Sequence, residues 1–235
     1  MTAFADTLRL VRLAAVTLGG RRWGLVPLVP LLWPLLQILR LLVGWETEAY
    51  QPADAQNGLI GAPLAILAIG LGVRIIASEV ERRTLEVGYT VPGGIRRLFV
   101  AKLAAATGML VVAELLLAAV AFVFLTDVPP LALYGALQAA LFYLVVGMAW
   151  AALFRSEVTG ALASAATLFL NALITGFGEE QVRFSAFWNE AALSTAARED
   201  LLAWSVQNRI GFALAIVAVA ALGFARAERR EKMLA

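Results

Sequence analysis

The sequence contains no cysteine and no histidine. Disulfides, thiolate chemistry, Cys/His zinc sites and imidazole acid–base catalysis are thereby excluded together. Charge is scarce as well: 15% of the residues are charged, against about 25% in an ordinary soluble domain. No Gly-x-x-x-x-Gly-Lys-Ser/Thr phosphate loop occurs, so ATP binding and hydrolysis are not expected of this chain. The acids Glu179, Glu180, Glu190, Glu199 and Asp200 lack the spacing of a metal loop, so no metal site is expected; no cofactor bound by this chain and no nucleic-acid partner are expected either.

What remains is apolar. Hydrophobic residues make up 61% of the chain and the mean hydropathy is +0.82. Such a composition suits a lipid solvent. Six spans of about 20 residues would use about half of the chain, leaving loops but no separate soluble domain. The expected fold is therefore an all-α membrane protein with six transmembrane helices, organised as a single transmembrane domain over residues 1–235.

The first segment, 1–20, is not a span. Phe4, Leu8, Val11, Ala15 and Leu18 recur on one helical face and Arg9 and Arg12 lie on another, which predicts an amphipathic helix at the membrane surface. Asp6, Arg9 and Arg12 also argue against a cleavable signal. The six-span bundle then occupies 23–225. Its spans are expected near 23–44, 58–78, 103–125, 131–154, 158–177 and 208–225. Pro27, Pro30 and Pro34 predict a kink in the first. Gly61, Gly70 and Gly72 predict close helix approach in the second. Arg155 and Glu157 suit a short turn with local pairing, and 178–207 suits short outer helices with tryptophans at headgroup depth.

Arg9, Arg12, Arg21 and Arg22, then Arg82, Arg83, Arg96, Arg97 and Lys102, then Arg155, then the tail 226–235 with Arg226, Arg229, Arg230 and Lys232 all fall on one side of a six-span chain. The opposite side has Arg183, Arg198 and Arg209 spread over its loops, with Arg40 at the outer end of the first span. The positive-inside rule places both termini in the cytoplasm of a multi-pass protein of the cell (plasma or inner) membrane.

The most specific stretch lies between the second and third spans. It reads Ser78-Glu79-Val80-Glu81-Arg82-Arg83-Thr84-Leu85-Glu86, then Val91-Pro92-Gly93-Gly94-Ile95-Arg96-Arg97, ending at Lys102. This resembles the loop of type-2 ABC transporter permeases, the membrane subunits of ATP-binding-cassette exporters. Their pattern is Glu-x-Glu-x-Gly-Thr-Leu-Glu, an apolar residue and Pro, then basic residues leading to a Lys. Glu79, Glu81, Thr84, Leu85, Glu86, Pro92, Arg96, Arg97 and Lys102 match, while Arg83 stands at the usual Gly. The resemblance implies an N-terminal elbow helix, a cytoplasmic coupling helix between spans 2 and 3, and outer helices between spans 5 and 6. It implies an exporter permease that pairs with a second copy or a related permease chain. ABC ATPase subunits carrying ATP and Mg would dock on the 79–97 region. A helix of mixed charge with some apolar residues is suited to such docking, and Glu79 and Arg83 have the spacing for an i, i+4 pair.

Within the spans, Gln37, Glu114, Gln138 and Asn171 are candidate pathway residues, with interhelical hydrogen bonding the structural alternative. The competing function is a secondary transporter or channel working without an ATPase. A membrane enzyme is poorly supplied with chemistry, having one central acid and no His or Cys.

Overall fold

The computed structural model describes residues 2–46, 48–84, 94–175, 182, 184–193 and 198–229. Among these residues every regular element is helical, and six helical segments are long and apolar enough to cross a membrane.

Helix α1 spans Thr2–Gly19. Gly20, at φ 70°, and the non-helical Arg22 break the path at its end. The chain then doubles back, so that Leu8 and Arg12 line the same cavity as Trp23 and Pro27. Of the expected apolar face, Ala15 and Leu18 are buried, whereas Leu8 is exposed. The C-terminal half of α1 is therefore packed, against the flank of a later helix.

The first crossing begins as a 3-10 helix, Gly20–Leu31, and continues as α2, Leu32–Leu42. The sequence predicts a kink here; the path does kink, at Arg22 just ahead of the prolines, and 3-10 geometry then continues to Leu31. Proline has no N–H to donate, and the three-residue spacing of Pro27 and Pro30 puts both on one edge of a helix with three residues per turn. Pro27, Pro30, Pro34 and Gln37 form its buried face.

A short turn, Pro52–Asp54, and a π-helical turn, Ala55–Gly61, lead into α3, Ala62–Glu81. Then follow α4, Gly94–Phe124, α5, Pro130–Phe154, α6, Glu157–Thr175, and α7, Arg198–Glu228. Two of these start well before the expected spans. Hydropathy marks the lipid-immersed part of a helix, while the hydrogen-bonded ladder runs on until the sequence breaks it. So α4 opens at Gly94 and takes Arg96, Arg97 and Lys102 into its first turns. Its 31 residues make a rod about 46 Å long, well beyond a hydrocarbon core of about 30 Å. Likewise α7 absorbs Leu201, Leu202 and Trp204, and the described part of the α6–α7 connection holds a single helical turn, Glu190–Ala192.

The centre of the bundle is the α3–α5 pair. The apolar windows of these helices are 72% and 61% buried, against 11% for each of α6 and α7. Glycines set their approach: a Cβ at Gly72 would run into the Leu144 carbonyl, and one at Gly147 would lie 3.2 Å from the Ile69 carbonyl. Gly70, grouped with Gly72 by sequence, faces open space.

Candidate functional site

One end of the bundle carries a polar network, built where α3 ends and α4 begins. On α4 the inward stripe is Ile95, Phe99, Lys102, Ala106, Ala113 and Leu117, so Lys102 stands among core residues with 0% exposure. Its ammonium donates to the Ile75 carbonyl at 3.2 Å, the Ser78 hydroxyl at 3.1 Å and Glu79 Oε1 at 2.6 Å. All three of its protons are thereby used. Thr84 Oγ1 donates to the other carboxylate oxygen, Glu79 Oε2. Glu79 and Lys102 flank the whole 82–101 stretch, so their pair ties both feet of that loop together.

Arg74, one turn before Ser78, extends the network. Its NH1 donates to the Leu18 carbonyl at the end of α1 at 2.6 Å, and its Nε lies 3.5 Å from Glu157 Oε2 at the start of α6. Glu81 Oε1 accepts from the Glu157 backbone N–H at 2.7 Å. Arg96 Nε reaches Glu228 Oε1 of α7 at 3.8 Å, an exposed pair of little energetic weight. The ends of α1, α3, α4, α6 and α7 therefore meet around one loop base.

The local turn at Arg83 has a specific geometry. Arg83 N–H donates to the Val80 carbonyl and Thr84 N–H to the Glu79 carbonyl. This is the Schellman closure of a helix, and it puts Arg83 at φ 55°. That left-handed position favours glycine, which is the residue the resembled pattern carries there. The closure also removes the expected i, i+4 pair: α3 stops at Glu81, and Glu79 engages Lys102 instead. Glu157 does not pair with Arg155 either. Arg155, at φ 57°, closes α5, and the Glu157 carboxylate turns to Arg74.

Glu81, Arg82, Arg83, Thr84, Arg96 and Arg97 are exposed. Leu85, Glu86 and Pro92 lie outside the described residues. So the matched residues divide into an anchored set, Glu79, Glu81 and Lys102, and an outward set that includes Arg96 and Arg97. Burial of Lys102 is readable from its place on the α4 stripe; the roles of Arg74 and Glu157 rest on contacts between segments far apart in sequence.

The four candidate pathway residues are held in separate surroundings. The Gln37 side-chain oxygen, Oε1, accepts from Arg40 at 3.1 Å and from the Tyr50 hydroxyl at 3.0 Å. Burial, with the nearby Glu46 carboxylate, raises the Tyr50 pKa. Gln138 exchanges hydrogen bonds with Arg209, whose guanidinium lies over the Tyr134 ring. Asn171 faces Tyr143. Glu114 is 4% exposed, beside the backbone at Leu137, and its Oε1 has no hydrogen-bond partner.

At the opposite end, the segment 184–193 is stitched into the bundle. Gln56 donates to the Trp188 carbonyl, Asn57 to that of Phe187 and Asn189 to that of Ala53. Trp188 is fully buried and donates to the Ser205 hydroxyl, so this tryptophan is a core residue of the protein rather than a headgroup anchor. A cavity of about 620 Å³ lies beside it, bordered by Gln56, Glu190, Leu201 and Leu202.

The chain matches no protein-family model, no curated protein and no solved structure.

Proposed function

We propose that the chain is the permease subunit of an ABC exporter. In this reading two copies, or one copy and a related permease chain, form the substrate path. Separate ATPase subunits bind ATP and Mg and dock on the loop between α3 and α4. The chain is then no enzyme itself, and it works in the cell membrane with both termini cytoplasmic. Helix α1 serves as the elbow, the 79–97 region as the coupling element, and the segment before α7 as the outer cover.

The observation that carries the reading is the anchored loop base. A partner pushing on a loose loop would move only the loop. Here the loop is tied through Glu79 and Lys102 to α3 and α4, and through Arg74 and Glu157 to α1 and α6. The base is built on the most buried helix, α3, so a partner that displaced it would act directly on the α3–α5 pair. The secondary-transporter reading draws on one observation, the buried Glu114 with an unpartnered oxygen.

The test leaves Glu81 unchanged, because it also caps α6 and its reversal would confound docking with folding. Charge reversal at Glu86 and Arg97 is expected to abolish co-purification of an ABC ATPase, with the permease still well folded by size-exclusion chromatography. Full retention of the ATPase by the double variant counts against the proposal.

A further inference from the structure

Between α5, α6 and α7, toward the end where α7 finishes, lies a cavity of about 390 Å³. Two apolar helix faces wall it: Val146, Ala149 and Leu153 of α5, and Val219, Leu222 and Gly223 of α7. Spacings of three and four residues on each helix make a straight groove about 10 Å long. The polar groups of its side wall are satisfied. Trp150 Nε1 donates to Thr167 Oγ1 at 3.1 Å, and Thr167 donates to the Ala163 carbonyl at 2.8 Å.

One group in the lining is not. Arg226 borders the same groove from the last turn of α7, and its Nε is buried with no hydrogen-bond partner. Glu228, two residues further along α7, reaches Arg96 at 3.8 Å. Among the described residues no carboxylate pairs with Arg226. A guanidinium that ends an apolar groove, at the margin of a membrane span, is complementary to an anion carrying a hydrocarbon chain.

We infer that this groove holds one anionic phospholipid of the surrounding bilayer, its acyl chain along the α5–α7 faces and its phosphate on Arg226. Chain contacts with the groove gain little over contacts with other lipid, since both are apolar. The preference is therefore set by the headgroup charge on Arg226.

Native mass spectrometry of the full-length chain, equilibrated with equimolar phosphatidylglycerol and phosphatidylcholine, measures it. One phosphatidylglycerol is expected to be retained over phosphatidylcholine by about fivefold, the factor one cation near an anionic surface contributes. Arg226→Gln brings the ratio to near one, Arg226→Lys keeps most of it, and Arg229→Gln, on the exposed neighbour, leaves it unchanged. Val219→Trp fills the groove with the charge intact and is expected to lose the bound lipid. A preference that survives Arg226→Gln or Val219→Trp, or that Arg229→Gln lowers equally, overturns the inference. If the glutamine variant fails to fold, the lysine and tryptophan variants decide alone.

Discussion

Lys102 is a full positive charge in a core, and its cost is offset only by the partners that surround it. Breaking a buried pair from one side leaves an uncompensated charge, an effect of about 3–5 kcal/mol. Lys102→Met is expected to lower unfolding stability in detergent by about that amount. Glu79→Gln combined with Lys102→Met should recover much of the loss, because no unpaired charge remains. A double variant no better than Lys102→Met would mean that the ammonium's bonds to Ile75 and Ser78 dominate. Arg83 makes the opposite case. A left-handed non-glycine residue costs about 1–2 kcal/mol, part of which glycine returns through the unfolded chain. Arg83→Gly should therefore stabilise the protein by about 0.5–1 kcal/mol in thermal or denaturant unfolding. A destabilised Arg83→Gly would show that the guanidinium makes a contact that matters more than the turn.

At the scale of elements, the apolar runs identified all six helical segments long and apolar enough to cross a membrane, because lipid demands long apolar helices and little else in the chain imitates them. Ends were less legible. The starts of α4 and α7 lie before their apolar stretches, where charged residues continue the helix. The prolines announced trouble in the first crossing but not its form, since 3-10 geometry depends on which face packs inward. For the site, the loop residues were visible as a motif, and Leu85, Glu86 and Pro92 remain known only as such. The hub at Arg74 was not legible, because it joins residues from α1, α3 and α6 that no local pattern relates. Glycine spacing in α3 was readable, yet it did not separate Gly72 from Gly70; only the approach of α5 does. Gly72→Leu should push α3 from α5 and cost at least about 1–3 kcal/mol, while Gly70→Leu stays near wild type. Equal effects of the two, in thermal unfolding in detergent, would show that the α3–α5 contact is not the tight one.

For the whole molecule, the charge asymmetry and the polar networks divide the bundle into two ends. One end gathers the loop base, Arg74, Lys102 and the close of α7; the other gathers Gln56, Trp188 and the segment stitched around them. The proposed permease role requires the energy source to act at the first end alone. The absence of cysteine makes this directly measurable, since any introduced thiol is the sole one in the chain. A single cysteine at the exposed Arg97, carrying a photo-crosslinker, is compared in native membranes with one at the exposed Trp45 of the opposite end. The account predicts an adduct with an ABC ATPase from Arg97→Cys and none from Trp45→Cys. No ATPase adduct at Arg97→Cys, or equal adducts at both positions, would contradict it.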